Sequence, residues 1–359
     1  MLETEITDPG KDEELTAVLV QLNRIAIDTE FMREKTFYAQ LCLIQIATPT
    51  KIYCADPLTG SDLQNFWQAL NGCAWVLHSG RQDIEVFYQT SGCMPTDIFD
   101  TQIAAGLLGY APQIGYATLV KELFGKELAK SHTRADWTRR PLSAEMIEYA
   151  AEDVEFLLGA CDKMSDRLAE LGRLEWVRED SARLLDPSLY EDSPSASFDR
   201  LKGARKLTGR ARGAAACLAV WREQRAARSN RPRQWIMKDA VLLDLAISNP
   251  GDKATLAAVS GMPAATARRS ATELLAVLAQ ADECDDGYVP PARPGEKQKA
   301  QLRAMQEEVA RKSAELGIAA EIVAPRKELA SAMLGNCESR VFTGWRREVV
   351  GQRLLEMMN

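Results

Sequence analysis

The sequence predicts a mixed α/β domain, a sheet flanked by helices, followed by two all-α helical-bundle domains. Three observations carry that prediction. Short β-branched and apolar runs lie within residues 24–79. Amphipathic helical periodicity dominates from there to the C-terminus. Two stretches rich in Ser, Pro, Gly and Asp, 186–200 and 284–297, lack periodicity and read as linkers. They divide the chain into parts covering residues 1–190, 205–285 and 295–359.

The runs "RIAIDTEF" (24–31), "LCLIQIAT" (41–48), "KIYCAD" (51–56) and "AWVLHS" (74–79) read as strands bounded by turn residues. Helical patterns cover about 61–70, 82–90, 99–109, 116–124 and 143–171. Three strands in succession, then helix, strand and helices, indicate a mixed sheet with helices packed against it. The regular βαβ alternation of a dinucleotide fold is missing. Neither G-x-G-x-x-G nor G-x-x-x-x-G-K-[ST] occurs, so no nucleotide cofactor is expected. In the second part, "GAAACLAVWREQRAA", "KDAVLLDLAI", "KATLAAVS" and "PAATARRSATELLAVLAQ" read as the short helices of a bundle. The third part continues with "KAQLRAMQEEVARKSAELGI", "APRKELASAML" and "GWRREVVGQRLLEMM".

Composition excludes several classes. With 46% hydrophobic and 26% charged residues, the chain has ordinary globular usage. No apolar run approaches the roughly 18 residues needed to span a membrane. The acidic start "MLETEITDPGKDEE" is not a secretory signal. A cytoplasmic monomer is expected. Eight cysteines without a C-x-x-C pair argue against zinc and for thiols that mostly fill cores in a reducing compartment. With only His78 and His132 available, any metal must sit on carboxylates. The net charge of −7 is uneven: residues 1–190 hold 17 Lys/Arg against 30 Asp/Glu, whereas residues 200–238 hold 12 Lys/Arg against Glu223 alone. Such a basic stretch is either a solvated helix face or a phosphate-binding surface.

Asp28 and Glu30 close an apolar strand. Side chains alternate along a strand, so these two share one face while Ile25, Ile27 and Thr29 take the other. Two like charges about 4 Å apart repel by roughly 4 kcal/mol at an effective dielectric near 20. A chain keeps such a pair in open water or against a cation. Asp-x-Glu also occurs at Asp12/Glu14, Asp83/Glu85 and Asp153/Glu155, so the setting matters more than the motif. Asp83 follows the strand 74–78 at the head of a helix, where a carboxylate is favoured. Tyr149 and Asp153 are four apart on a helix, at the edge of an apolar stripe of Ile147, Ala150, Val154, Leu157, Leu158 and Cys161. Converging, the four acids suit two hard divalent ions, Mg²⁺ or Mn²⁺, and phosphodiester hydrolysis. Tyr149 is then placed to orient the attacking water.

With those residues in view, the chain resembles the ribonuclease D family of the DEDD superfamily over nearly its whole length. "IAIDTEF" with "QLCLIQIA" resembles the first exonuclease motif, "LHSGRQDIEVF" the second and "YAAEDVEFL" the third. Tyr-x-x-x-Asp is the mark of the tyrosine subclass. "DIFDTQIAAGLLGY" and "SHTRADWTRRPLS" are further family-like segments. The resemblance implies a ribonuclease H-like core, with Asp28, Glu30, Asp83 and Asp153 as metal ligands and Tyr149 as the water-positioning residue. It further implies 3′→5′ exoribonuclease activity that releases nucleoside 5′-monophosphates from precursor tRNA 3′ ends and other small structured RNAs. The second part is similar to the helicase and ribonuclease D C-terminal (HRDC) domain, and the third resembles a second such module.

Other residues divide between RNA contact and structure. Phe31 and Met32 follow the acid pair, where they stack on terminal bases or pack the core. His132 contacts phosphate or sits in a solvated loop. Arg222, Arg225, Arg228, Arg231 and Arg233 are candidate RNA contacts, whereas Trp221 and Trp235 are expected to pack the bundle. His78 is expected to be a buried, hydrogen-bonded imidazole, and Asp100 a helix cap. Two alternatives stay open: a proofreading-type 3′→5′ DNA exonuclease, and a catalytically silent RNA-binding scaffold on the same fold.

Overall fold

The four apolar runs become β2 to β5 of a six-stranded sheet in the computed structural model, which describes residues 2–128, 135–191, 194–284, 295–334 and 338–358. The first part runs β1 (Glu3–Thr7), α1 (Glu13–Gln21), β2 (Arg24–Met32), β3 (Gln40–Ala47), β4 (Lys51–Ala55), α2 (Gln64–Asn71) and β5 (Ala74–Leu77). It continues with α3 (Arg81–Ser91), β6 (Asp97–Asp100), α4 (Thr101–Leu107), α5 (Tyr116–Phe124), α6 (Ala144–Glu155), α7 (Leu157–Glu170) and α8 (Leu174–Ala182). Strand order is β1-β4-β3-β2-β5-β6. The sheet is mixed: β3 and β4 are antiparallel, while β1–β4, β2–β5 and β5–β6 are parallel.

Register decides what shares an edge. Ala26 lies opposite Val76, so the C-terminal half of β2 and the end of β5 meet the same rim of the sheet. Ligands in open α/β sheets gather at such carboxyl ends. Ile25, Ala26 and Ile27 are fully buried, as is Trp75 beside them, which fixes β2 in the middle of the domain.

Three elements depart from the sequence reading. Residues 3–7, within the acidic start and not read as a strand, form the edge strand β1. Residues 97–100 form β6 before the helix starts. The helix expected over 143–171 breaks at Phe156 into α6 and α7. Tyr116 serves that break: its hydroxyl donates to the Glu152 carbonyl and accepts from the Phe156 N–H (3.3 and 3.2 Å).

The chain packs as two compact units, one of residues 1–32, 41–190 and 293–359, the other of residues 33–40 and 191–292. In the first, the third sequence part adds α15 (Glu296–Leu316), α16 (Ala320–Val323), α17 (Arg326–Ala332), α18 (Gly344–Arg346), a π-helical turn (Arg347–Gly351) and α19 (Gln352–Met358). These helices share one core with α4, α7 and α8, through Leu107, Met164, Leu168, Val309, Leu329 and Trp345 among others. Trp176 and Trp345 stack at 4.4 Å. Buried Arg346 donates to both carboxylate oxygens of buried Asp180 (2.5 and 2.8 Å).

The second unit holds α9 (Pro194–Asp199), α10 (Gly209–Ser229), α11 (Arg233–Ile236), α12 (Asp239–Ser248), α13 (Lys253–Ala257) and α14 (Ala264–Ala279). Part of the first expected linker is therefore helical, and most of the second lies outside the described residues. Leu218, Trp221, Leu242, Leu245 and Leu274 fill the bundle core. Asn230 ends α10 in a left-handed conformation (φ 45°), and its side-chain oxygen accepts the Phe37 and Tyr38 N–H groups (both 3.1 Å). Cys42, Cys54, Cys73 and Cys161 are buried free thiols, but Cys217 and Cys284 are joined as a disulfide that the sequence reading did not foresee. Among the described residues, no helix is long and apolar enough to cross a membrane.

Candidate active site

Asp28 and Glu30 project from β2, and Asp153 from α6, so that one carboxylate oxygen of each lies within 4.8 Å of the others. All three are half-buried. Like-charged groups at this spacing in a partly desolvated pocket favour the protonated form. Burial, then Asp83, Asp153 and Glu30, hold the Asp28 carboxyl well above the ordinary range. Glu30 is pushed up to about 8 by burial and by Asp153 and Asp83. Asp153 reaches about 7, with burial raising it and a hydrogen bond from Tyr149 opposing. Among the described residues, no cationic side chain is among the groups that shift these carboxyls, and carboxylate oxygens are the donor set that hard divalent ions prefer.

Asp83 stands beside the three rather than inside the group. It is buried in the first turn of α3 and accepts the Thr29 hydroxyl (2.5 Å). Burial raises its carboxyl to about 6, with the Thr29 bond opposing. Thr29 is buried between half-buried Asp28 and Glu30 along β2, and its meeting with Asp83 is what the sequence reading missed. The turn ahead of α3 is held by Asp100, which accepts the Ser79 and Gly80 N–H groups (3.1 and 3.0 Å) and also caps α4. A Cβ on Gly80 would lie 2.3 Å from the buried Leu77 side chain, so a larger residue there would have to displace Leu77. His78 is hydrogen bonded at both ring nitrogens, to Thr101 Oγ1 and the Ile114 carbonyl (2.9 Å each), as its structural reading expected.

Tyr149 is half-buried, its hydroxyl bonded to Asp153 and its ring 6.2 Å from that of Trp137. Burial and the surrounding acids push its phenol well above the ordinary tyrosine range. Trp137 is in turn fixed by Arg140, which donates to the Trp137 and Cys42 carbonyls (2.8 and 2.7 Å) and to Asp56 (2.7 Å). Both lie in the quoted segment "SHTRADWTRRPLS", which drew attention without revealing this bracing.

The RNA-contact candidates separate. Phe31 and Met32 are half-buried, and Met32 packs with Trp137 and Tyr149. His132 lies outside the described residues. Arg222 is corrected: it is 3% exposed and donates to the Met237 carbonyl and Asp239 (3.0 and 2.6 Å). Arg233 is half-buried, and Glu223 holds its guanidinium (2.6 Å) over the Phe37 ring (4.4 Å). Counting charges along the sequence cannot see these partners. Arg225, Arg228 and Arg231 are exposed. Trp221 packs the bundle as expected, but Trp235 does not: it is 61% exposed.

Fold and acid cluster together define a nuclease-type α/β domain, and comparison with known proteins agrees. Residues 4–169 match the 3′-5′ exonuclease family and residues 211–278 the HRDC domain. Ribonuclease D of Granulibacter bethesdensis is 37% identical, covering 97% of this chain and 91% of that protein. Ribonuclease D of Gluconacetobacter diazotrophicus is 35% identical, covering 96% and 91%. The crystal structure of Escherichia coli RNase D, an exoribonuclease involved in structured RNA processing, superposes with a TM-score of 0.87 at 27% identity, covering 100% of this chain and 98% of that one. The chain belongs to the ribonuclease D family of 3′→5′ exoribonucleases.

Proposed function

We propose that this protein removes nucleotides one at a time from RNA 3′ ends with two divalent ions, Mg²⁺ or Mn²⁺, and acts on precursor tRNA and other small structured RNAs. The observation that carries the reading is the Asp28–Glu30–Asp153 cluster, three acids whose carboxylate oxygens lie within 4.8 Å of one another. Family membership and the role of the Escherichia coli relative in structured RNA processing support the substrate class.

Asp28, Glu30 and Asp153 would hold the ions, joined by Asp83 from the head of α3. Bound there, such ions supply Lewis-acid activation of water and neutralise charge on the phosphate. The chain's own groups do the rest. The raised carboxyls retain protons until a cation displaces them, so loading releases protons. Tyr149, kept a neutral phenol by its surroundings, orients the attacking water through its hydroxyl instead of taking its proton as a phenolate. Asp153 fixes that hydroxyl and Trp137 limits the ring's movement.

The test compares wild type with Asp28→Ala on 3′-labelled and 5′-labelled RNA, with Mg²⁺ or Mn²⁺ and with chelator, beside a DNA strand of the same sequence. Stepwise shortening from the 3′ end, lost by about 10³-fold or more in the variant, is the expected result; that loss corresponds to about 4 kcal/mol of barrier. Equal degradation by both proteins refutes the reading and leaves the RNA-binding scaffold. Equal rates on DNA and RNA favour the proofreading-type enzyme.

A further inference from the structure

Residues 135–142 form neither helix nor strand, yet they supply the ring that stands beside Tyr149. Of these residues Trp137 alone is buried, and it packs with Cys42, Cys54, Ala150, Met32 and Tyr149. A loop without ladder hydrogen bonds needs another anchor to keep one side chain in place. Arg140 is that anchor. A guanidinium carries five N–H donors, and here each has an acceptor. Nη1 donates to the Trp137 and Arg139 carbonyls (2.8 Å each). Nη2 donates to the Cys42 carbonyl and to Asp56 Oδ1 (2.7 Å each), and Nε to Asp56 Oδ2 (2.5 Å).

Two of these acceptors belong to the loop and the rest to the sheet, since Cys42 lies in β3 and Asp56 follows β4. Asp56 is itself fixed: it is buried, its N–H donates to the Thr7 carbonyl, and Oδ1 also accepts the Leu58 N–H (2.9 Å each). A two-point guanidinium–carboxylate contact sets direction as well as distance. With every donor engaged, this arginine has none left to offer a phosphate. What it holds is the loop, and through the loop the indole that backs the Tyr149 ring while Asp153 meets the Tyr149 hydroxyl.

We propose that Arg140 and Asp56 are positioning residues for the hydrolysis: they seat Trp137 against Tyr149 and so hold the phenol where it orients the attacking water. The proposal rests on the reading of Tyr149 given above. It assigns the clamp an effect on turnover, with little on substrate or metal binding, because it touches neither the acid cluster nor the RNA. A displacement of about 1 Å in a group that positions a reactant costs up to about 100-fold in rate.

The experiment measures kcat, KM and Mn²⁺ affinity of the full chain on 3′-labelled RNA for wild type, Arg140→Lys, Asp56→Asn, Tyr149→Phe and each clamp variant combined with Tyr149→Phe. Lysine keeps the charge but has three donors and no planar fork. Asparagine keeps an oxygen for the Leu58 N–H and loses the charge. Unfolding curves verify that the variants fold, and Asp56→Asn carries the test if Arg140→Lys does not. In Arg140→Lys kcat falls about 10- to 100-fold, and less in Asp56→Asn, while KM and Mn²⁺ affinity stay within about 3-fold. Once Tyr149→Phe has removed the hydroxyl, either clamp substitution lowers kcat by no more than about 2-fold further. Losses that multiply in the combined variants overturn the proposal and assign the clamp to the fold alone. Unchanged kcat in the folded clamp variants also overturns it. Full turnover in Tyr149→Phe refutes the reading of Tyr149 and the proposal with it, whereas a slow Tyr149→Phe beside fast clamp variants removes the proposal alone.

Discussion

Asp180 and Asp28 are both acids set into the catalytic unit, and their surroundings are opposite. Asp180 meets Arg346 through two hydrogen bonds, and that guanidinium also donates to the Ile322 carbonyl (3.1 Å) and lies 4.2 Å over the Trp345 ring. Asp28 meets Glu30 and Asp153, which repel it. The helical unit repeats the contrast with the other sign: Arg222 and Arg233 pair with Asp239 and Glu223, whereas Arg231 and Arg269 are exposed and have no ion-pair partner among the described residues. Charge that holds a fold together arrives with its counter-ion. Charge left unmatched in a half-buried acid cluster raises the carboxyls instead of steadying the fold.

Removing one partner of the matched pair should therefore have the largest effect on folding. Arg346→Ala or Asp180→Ala is expected to cost about 3–5 kcal/mol in a urea titration, because each strands a buried charge. Replacing both by apolar residues of similar volume should recover most of that loss. Tyr149→Phe sharpens the other side of the comparison: turnover falls about 10²-fold while Mn²⁺ affinity stays within a few-fold, since the hydroxyl positions water and holds no ion. The smallest effect is expected from Asp28→Asn, which leaves the metal-free protein as stable as wild type or slightly more so. Loss of stability there comparable with that of Arg346→Ala would erase the distinction between the two regions.

How much of this the sequence discloses depends on whether a feature is local. β2 to β5 are legible because a buried strand needs a run of apolar residues. β1 is not, because "ETEIT" is an edge strand of which only Thr7 is buried. β6 is four residues long and runs directly into α4, so its pattern merges with the helix. The break at Phe156 escapes detection because apolar spacing continues across it and the stabilising hydroxyl comes from Tyr116, 40 residues earlier. The five motif residues are legible from their chemistry and family resemblance. Thr29 as the partner of Asp83, Arg140 behind Trp137, and Asp239 behind Arg222 are not, because each pairing is set only when distant segments pack.

Calorimetric titration of metal-free protein with Mn²⁺ at pH 8 and pH 5 addresses the acid cluster most directly. Glu30 and Asp153, raised to about 8 and about 7, hold protons at pH 5 that an ion must displace. Unfolded, these carboxyls release their protons near pH 4, so the folded metal-free chain binds more protons across this window and loses stability as the pH rises. The account predicts Mn²⁺ binding at pH 8 that weakens roughly 100-fold or more at pH 5 and disappears in Asp28→Asn. Affinity that is equal at both pH values, or unchanged in Asp28→Asn, would contradict it.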